Sequence, residues 1–288
     1  SQNHIFRVSE TLLRGPAASL RSLNLSMNTL GQSGAQPAVF RALRGLRSLS
    51  LAHNRIERFS TLDDDANNNR SSILLPGLAS LDLSHNALLE KVVVVVLATN
   101  TTTTMIESVN VSNSPKLKHV TLATKGSSSS RLTRLVLSSL PEGLAASLVL
   151  DEQFASSLGN LSELDLSFNH LAGLNLSRIR GSRTLRRLSL RQTVVQIDDL
   201  GFLGANFPGL TELDLGSCRH INFNSSSSSR PLLAGLANLE RLSLDNLSLT
   251  ADFLDTHVNL SLFRQLRYLD LSYNRLERFS TRIFLYTP

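Results

Sequence analysis

Three small constellations in the sequence hold residue types that could do chemistry. Asp82, Ser84 and His85 lie almost side by side, with the side chains of a nucleophilic triad. On one extended segment, however, neighbouring side chains point to opposite faces, so the three cannot converge on a substrate. His53 and His85 occupy equivalent places in a repeated pattern and could stand about 5 Å apart across adjacent strands. Two histidines without a third ligand make a poor metal site. Cys218 is the single cysteine of 288 residues, so no internal disulfide forms. A reactive thiol needs exposure and a positive neighbourhood, whereas Leu213-Asp-Leu-Gly-Ser-Cys218 places this one at an inward turn position. Neither a glycine-rich phosphate loop nor an H-E-x-x-H helix occurs. Arg186, Arg187 and Arg191 do cluster, but Glu163 and Asp165 precede them by one repeat and Glu212 and Asp214 follow by one. That arrangement predicts cross-strand charge pairing, each contact worth about 0.2–1 kcal/mol, and not a nucleic-acid surface, which needs clustered arginines with aromatics. The expectation is no catalytic residue, no metal, no cofactor and no nucleic-acid partner.

What must position these residues is a leucine repeat. Leucine makes up 59 of the 288 residues, and 41% of the chain is hydrophobic against 18% charged. That balance excludes overall disorder. The net charge of +6 is interspersed along the chain, so it predicts solvated faces. The longest apolar run, Val92 to Ala98, is far shorter than the ~20 residues of a membrane span. The pattern L-x-x-L-x-L-x-x-N-x-L starts at Leu20, Leu46, Leu78, Ile106, Leu132, Leu161, Leu185, Leu210, Leu239 and Leu266. Its L-x-L core suits a short strand with one buried face. Ten parallel strands are predicted, centred near Leu23, Leu49, Leu81, Val109, Leu135, Leu164, Leu188, Leu213, Leu242 and Leu269. No unit can bury its apolar face alone, so the units must stack into an α/β, β-rich repeat solenoid with a concave parallel sheet and short helical or irregular convex returns.

The turn after each strand leaves backbone groups that no strand pairing satisfies, at about 1–3 kcal/mol per buried orphan. Asn28, Asn54, Asn86, Asn169 and Asn274 are expected to satisfy them from inside, with Cys218 in the same place. Leu140 and Leu247 also fall there and cannot, so their turns are expected to be looser or differently bonded. Apolar residues such as Phe40, Leu43, Phe207, Leu210 and Phe263 mark the returns, with helical turns expected at Pro37 to Leu43 and Asp151 to Leu158. The valine run from Val92 to Val96 is β-prone and could add a convex strand; exposed, it would be an aggregation hazard.

One position before the asparagine, Met27, His53, His85, Phe168, Gln192 and Tyr273 belong to a column expected at the edge of the concave sheet. The column two positions before the asparagine is mostly serine and leaves room for a partner. Exposed aromatics are typical interface anchors. Phe168, Tyr268 and Tyr273 are therefore the expected ligand contacts, with Met27, Gln192 and the two histidines as further ones; the histidines could make binding pH-sensitive.

The phrases Leu161-Ser-Glu-Leu-Asp-Leu-Ser-Phe-Asn169 and Leu266-Arg-Tyr-Leu-Asp-Leu-Ser-Tyr-Asn274 resemble leucine-rich repeat proteins, over essentially the whole chain. The phenylalanines before several units and the unit length are similar to the extracellular type, as in Toll-like receptor ectodomains, chaoptin and Slit-like proteins. The resemblance implies a protein-binding horseshoe, extracellular or at the cell surface, whose partner is a protein ligand or co-receptor. Residues 1–288 read as a single solenoid of about ten repeats, an internal fragment without cysteine-rich caps, reaching a membrane only through parts of a longer chain. Nine N-x-S/T triplets support that compartment, with Asn69, Asn175 and Asn259 the expected glycan sites. The lone cysteine fits the alternative, an intracellular leucine-rich repeat adaptor or regulatory subunit.

Overall fold

The computed structural model describes residues 3–15, 17–31, 37–63, 72–95, 105–123, 130–144, 158–171, 182–194, 197–219 and 231–278. Two compact units emerge: Ser1–Leu144 with Asp151–Asn160, and Ala145–Leu150 with Leu161–Pro288.

The first unit begins with a short helix, α1 (Glu10–Arg14), capped by the Ser9 hydroxyl, which accepts from Leu12 N. Its strands in chain order are β1 (Ser22–Asn24), β2 (Ser48–Ser50), β3 (Arg58–Ser60), β4 (Leu62–Asp63), β5 (Ser72–Ile73), β6 (Ser80–Asp82), β7 (Lys91–Val95), β8 (Ser108–Asn110), β9 (His119–Ala123) and β10 (Arg134–Val136). Strands β1, β2, β6, β8 and β10 pair in parallel, with Leu23, Leu49, Leu81, Val109 and Leu135 in register. Leu49, Leu81, Val109 and Leu135 are buried. A second parallel sheet joins β3, β7 and β9, and β4 and β5 form an antiparallel pair. Val92 to Val95 of the valine run are thus in a strand, as the composition suggested, the middle one of three; Val96 lies outside the described residues. Val92, Val94 and Val95 are buried, so the apolar run is not an exposed edge.

The second unit holds β11 (Glu163–Asp165), β12 (Arg187–Ser189), β13 (Glu212–Asp214), β14 (Arg241–Ser243) and β15 (Tyr268–Asp270), all parallel. Leu164, Leu188, Leu213 and Leu242 line up and are buried. All ten expected strand centres are therefore strand residues. Each unit is a parallel-sheet leucine-rich solenoid in which every repeat supplies one three-residue strand to the sheet of aligned leucines.

The returns are less regular than the strands. Pro37–Phe40 is a single 3-10 turn that buries Phe40. Of the segment Asp151 to Leu158, all but Leu158 lies outside the described residues. Leu158 itself opens a 3-10 turn, Leu158–Asn160. The longest helix among the described residues, α2 (Ile197–Asn206), was not expected from the sequence. It buries Leu200 and Leu203 and leaves Phe202 on the surface. Gly204 brings this helix against backbone: a Cβ there would lie 2.0 Å from Ala234 O and 2.9 Å from Gly235 Cα.

Where the turn residue is Asn54, Asn86 or Asn274, it bonds both its own repeat and a neighbouring one. Asn54 Nδ2 donates to Leu51 O, Ala52 O and, one repeat back, Leu25 O at 2.9 Å, while its Oδ1 accepts Leu30 N at 3.0 Å. Asn86 repeats the pattern with Leu51 O, Leu83 O and Ile56 N. Asn28 accepts Ile5 N, Asn169 donates to Leu166 O, and Asn274 reaches back to Leu244 O. Cys218 donates its thiol to Leu190 O at 2.9 Å, one repeat back, and burial pushes that thiol up from its ordinary pKa. The turn at Leu247 is differently bonded: Asn274 Oδ1 accepts its N–H, and Ser248 adds a left-handed residue.

Two core substitutions check this arrangement. Leu164→Ala is expected to destabilise the fold by about 2–5 kcal/mol in chemical denaturation, as large-to-small changes do at buried sites. Asn54→Ala orphans Leu30 N, while Leu25 O and Leu51 O keep Asn28 and Asn86 as donors, for an expected loss of about 1–3 kcal/mol. A midpoint shift near zero for either would contradict the packing described.

Candidate functional site

The column before the ladder position is built on an unusual backbone. Met27, His53, His85, Asn113, Ser139, Phe168, Gln192, Ser217, Asn246 and Tyr273 all have φ between 52° and 59°. They stand in the turn that follows each strand and not on the strand itself. The left-handed region costs a non-glycine residue about 1–2 kcal/mol. The turn recovers this through its amides: His53 N donates to Ser84 O, His85 N to Ser112 O, Phe168 N to Arg191 O and Gln192 N to Gly216 O. The sequence signal was there but faint. No valine, isoleucine or threonine occupies the column, as expected where a β-branched side chain would be strained.

In the first unit the column brings His53 and His85 together. Their rings stack at 4.0 Å with an interplanar angle of 7°, and Asn113 Nδ2 lies 3.4 Å from His85 Nε2. Burial, then the neighbouring His53, pulls His85 below its ordinary pKa, against Asp82. Asp82 is otherwise engaged, its Oδ1 accepting Ser84 N and the Ser84 hydroxyl at 2.7 Å. Met27, 48% exposed, belongs to the same unit. The strand face here is small and polar: Ser22, Ser48, Ser80 and Ser108 pair in one row.

The second unit presents a charged face. Arg187 lies 3.6 Å from Glu163 and 3.2 Å from Glu212, one strand to either side. Arg241 stands over the Tyr268 ring, 4.4 Å from its centroid. Arg191 binds Asp245 through both terminal nitrogens, at 2.8 and 2.7 Å, and reaches Asp214 at 3.3 Å. Asp245 follows β14 and Arg191 follows β12, so the bridge passes over the repeat between. Gly216 makes room for it: a Cβ there would lie 2.1 Å from Asp245 Oδ1 and 2.3 Å from Arg191 Nη1. Hydrogen bonding to Asp245 raises the Arg191 pKa. Burial pushes the Asp245 carboxyl up, but the bonds from Arg191 and Ser243 outweigh it and hold the group below its ordinary value. Asp214 goes the other way: burial raises it, and Arg191, already committed to Asp245, does not fully offset that. Arg186 departs from the expected cluster. It precedes β12 and donates to Arg183 O and Gly209 O.

Strands β11 to β15 enclose a groove of about 410 Å³ between these side chains, with Tyr268 at one end. Tyr268 is 43% exposed on its strand, whereas Phe168, at 49%, and Tyr273, at 86%, stand in the left-handed column at opposite ends of the unit. The structure thus gives Tyr268 a partner in Arg241 and does not bring the three aromatics together. Gln192 lies beside Phe168 in the same column. Asn259 has left-handed backbone, and its Oδ1 accepts the Ser261 hydroxyl at 2.5 Å. Asn69 and Asn175 lie outside the described residues. The roles of Asp245 and Gly216 were missed from sequence, although each breaks a column otherwise rich in serine. Among the described residues no group of three or more His, Cys, Asp or Glu is placed to hold a metal ion, and no helix is long and apolar enough to cross a membrane.

Leucine-rich repeat family models match residues 17–37, 160–181 and 265–285, which contain β1, β11 and β15 with their turns. The chain carries the leucine-rich repeat fold. Among solved structures, this leucine-rich repeat chain resembles the LRIM1/APL1C complex at 20% identity and TM-score 0.57, over 96% of this chain and 42% of that one. It also resembles TLR13 in its complex with ssRNA13, at 20% identity and TM-score 0.51, over 98% and 40%. The leucine-rich repeat chain therefore spans about two fifths of the length of either. No curated protein sequence matches it.

Two measurements test the site geometry. Gly216→Ala should break the Arg191–Asp245 bridge and cost about 1–2 kcal/mol, discounted because the guanidinium is one-third exposed; an unshifted midpoint would show that the bridge does not depend on the glycine. His85 has its folded pKa lowered, so its contribution is present above 6.5 and lost as pH falls below it. Melting temperature should therefore fall between pH 7.5 and 5.5, and fall less in His85→Asn; identical slopes would contradict this.

Proposed function

We propose that this chain is a protein-recognition module, part of a secreted or cell-surface receptor or adhesion protein. The observation that carries the reading is the groove across β11 to β15, lined by charged side chains and Tyr268 on the face opposite the buried leucines. Leucines on the other side of the same strands supply the packing, and the face residues present charge and an aromatic ring to a partner. The partner is a protein ligand or co-receptor, with Phe168, Tyr268 and Tyr273 as anchors and Met27, Gln192, His53 and His85 as further contacts. TLR13 was solved with ssRNA13; here RNA enters as a control ligand. The nine sequons support the extracellular compartment, with glycans at Asn69, Asn175 or Asn259. The second reading, an intracellular adaptor, is favoured by the lone cysteine, buried and bonded to backbone.

Cross-links from a captured protein partner are expected on the sheet face and the turn column. Phe168→Ala with Tyr273→Ala should lower recovery at least about fivefold, in line with truncating interface anchors, while Phe202→Ala on α2 should not. Equal loss in the Phe202 variant, with all variants folded by circular dichroism, overturns the reading. For the compartment, an amidase that removes N-glycans should lower the mass of protein made in secreting eukaryotic cells. No mass change moves the assignment to the intracellular alternative.

A further inference from the structure

Charge on the second unit's face is sorted by row. One row runs Glu163, Arg187, Glu212, Arg241, Tyr268 across the five strands and is neutral. The row at the turn end pairs Arg191 with Asp245 and is neutral too. The row between them runs Asp165, Ser189, Asp214, Ser243, Asp270. The whole surplus of three negative charges sits in that central row, although the protein carries +6 overall. The first unit differs: its central row is Asn24, Ser50, Asp82, Asn110, Val136.

Each central aspartate has one oxygen committed to a backbone amide, Asp165 to Ser167 N and Asp270 to Ser272 N, both at 2.9 Å. Asp214 has Arg191 at 3.3 Å; Asp165 and Asp270 meet no cation among the described residues. A guanidinium is already accommodated on this face, over the Tyr268 ring. Neighbouring strands lie about 4.8 Å apart, so aspartates on alternate strands are spaced by about 9.6 Å. An extended polyproline-II chain rises about 3.1 Å per residue with three residues per turn, so every third side chain falls on one side at about 9.3 Å.

We propose that the sheet face of the second unit docks an extended basic segment of a protein partner, lying across the strands with arginine or lysine at every third residue. This rests on the reading of the sheet as the binding surface. The segment sets its cations over Asp165, Asp214 and Asp270 and its backbone along the groove floor. A nucleic acid would bring phosphates onto the same carboxylates, which disfavours it.

The test is fluorescence anisotropy on the full chain, with a labelled proline-rich nonapeptide carrying arginine at every third position. Controls are an isomer with the three arginines adjacent, a glutamate version and a single-stranded RNA nonamer. The spaced peptide is expected to bind at least about tenfold tighter than its isomer, and more weakly at high salt. Asp165→Asn and Asp270→Asn should each weaken it about fivefold. Asparagine preserves the turn, since Asn24 and Asn110 make the same amide bond to Ser26 and Ser112. Equal binding of the two isomers, unchanged binding by the variants, or tighter binding of the RNA overturns the proposal. If no arginine peptide binds while the Phe168 and Tyr273 changes still lower partner recovery, the basic segment is wrong and the sheet-face reading stands. If neither effect is seen, both fall.

Discussion

The structure depends on what happens to the backbone in the few residues after each strand. A three-residue strand holds little by itself, and parallel pairing is slightly the weaker kind. The ladder gains length because the left-handed residue of each turn turns its N–H onto the next repeat, as His53 does to Ser84 O and Gln192 to Gly216 O. The ladder residue then closes the turn from inside. Asn54 and Asn274 bond carbonyls of their own repeat and of the one before. Register follows from this, since each repeat can take only one position on its neighbour if these bonds are to be made. Leucine burial supplies the driving force and excludes a one-residue slip, which would turn the leucine face outward; the amide bonds add a second constraint on the same register.

With packing and register settled on one side, the opposite side of the strand carries little structural duty, and the two units use that freedom differently. The first spreads serine and asparagine over its face and places two stacked histidines at the turn. The second carries interlocked ion pairs and an aromatic that already holds a guanidinium. The Arg191–Asp245 bridge shows how closely face and scaffold are joined, because it depends on the missing side chain of Gly216 in the repeat beneath it. Asp245 is 4% exposed, so it is a carboxylate the fold keeps charged by supplying its cation.

Much of this was legible in the sequence. The ten strand centres followed from L-x-L spacing alone, because a period of two with one leucine face has a single packing solution once units stack. The inward asparagines followed from the need to satisfy turn amides. Pairing of Arg187 with Glu163 and Glu212 followed from register. The misses have physical causes. Arg186 and Arg187 are adjacent, and only one of two neighbours can point onto the sheet face, so the supposed cluster divides. Helix α2 has no strong sequence signal at its start, and its place is fixed by close approach of Gly204 to Gly235, a tertiary contact. The left-handed column is invisible to a reading that associates positive φ with glycine; only the lack of β-branched residues marks it. The bridge to Asp245 crosses two strand spacings, beyond the nearest-neighbour pairs that register suggests.

The repeat starts are separated by as few as 24 and as many as 32 residues, yet the strand register does not change. The ladder therefore measures strands and turns but not the chain between them. Single-residue runs of serine, threonine, asparagine and valine fall in those intervals, and replication slippage lengthens or shortens such runs by whole codons. In most proteins an inserted residue shifts everything downstream of it. Here the next strand can dock where it did before, so length variation between individuals or related species should collect in the intervals while the spacing within each strand and turn stays constant.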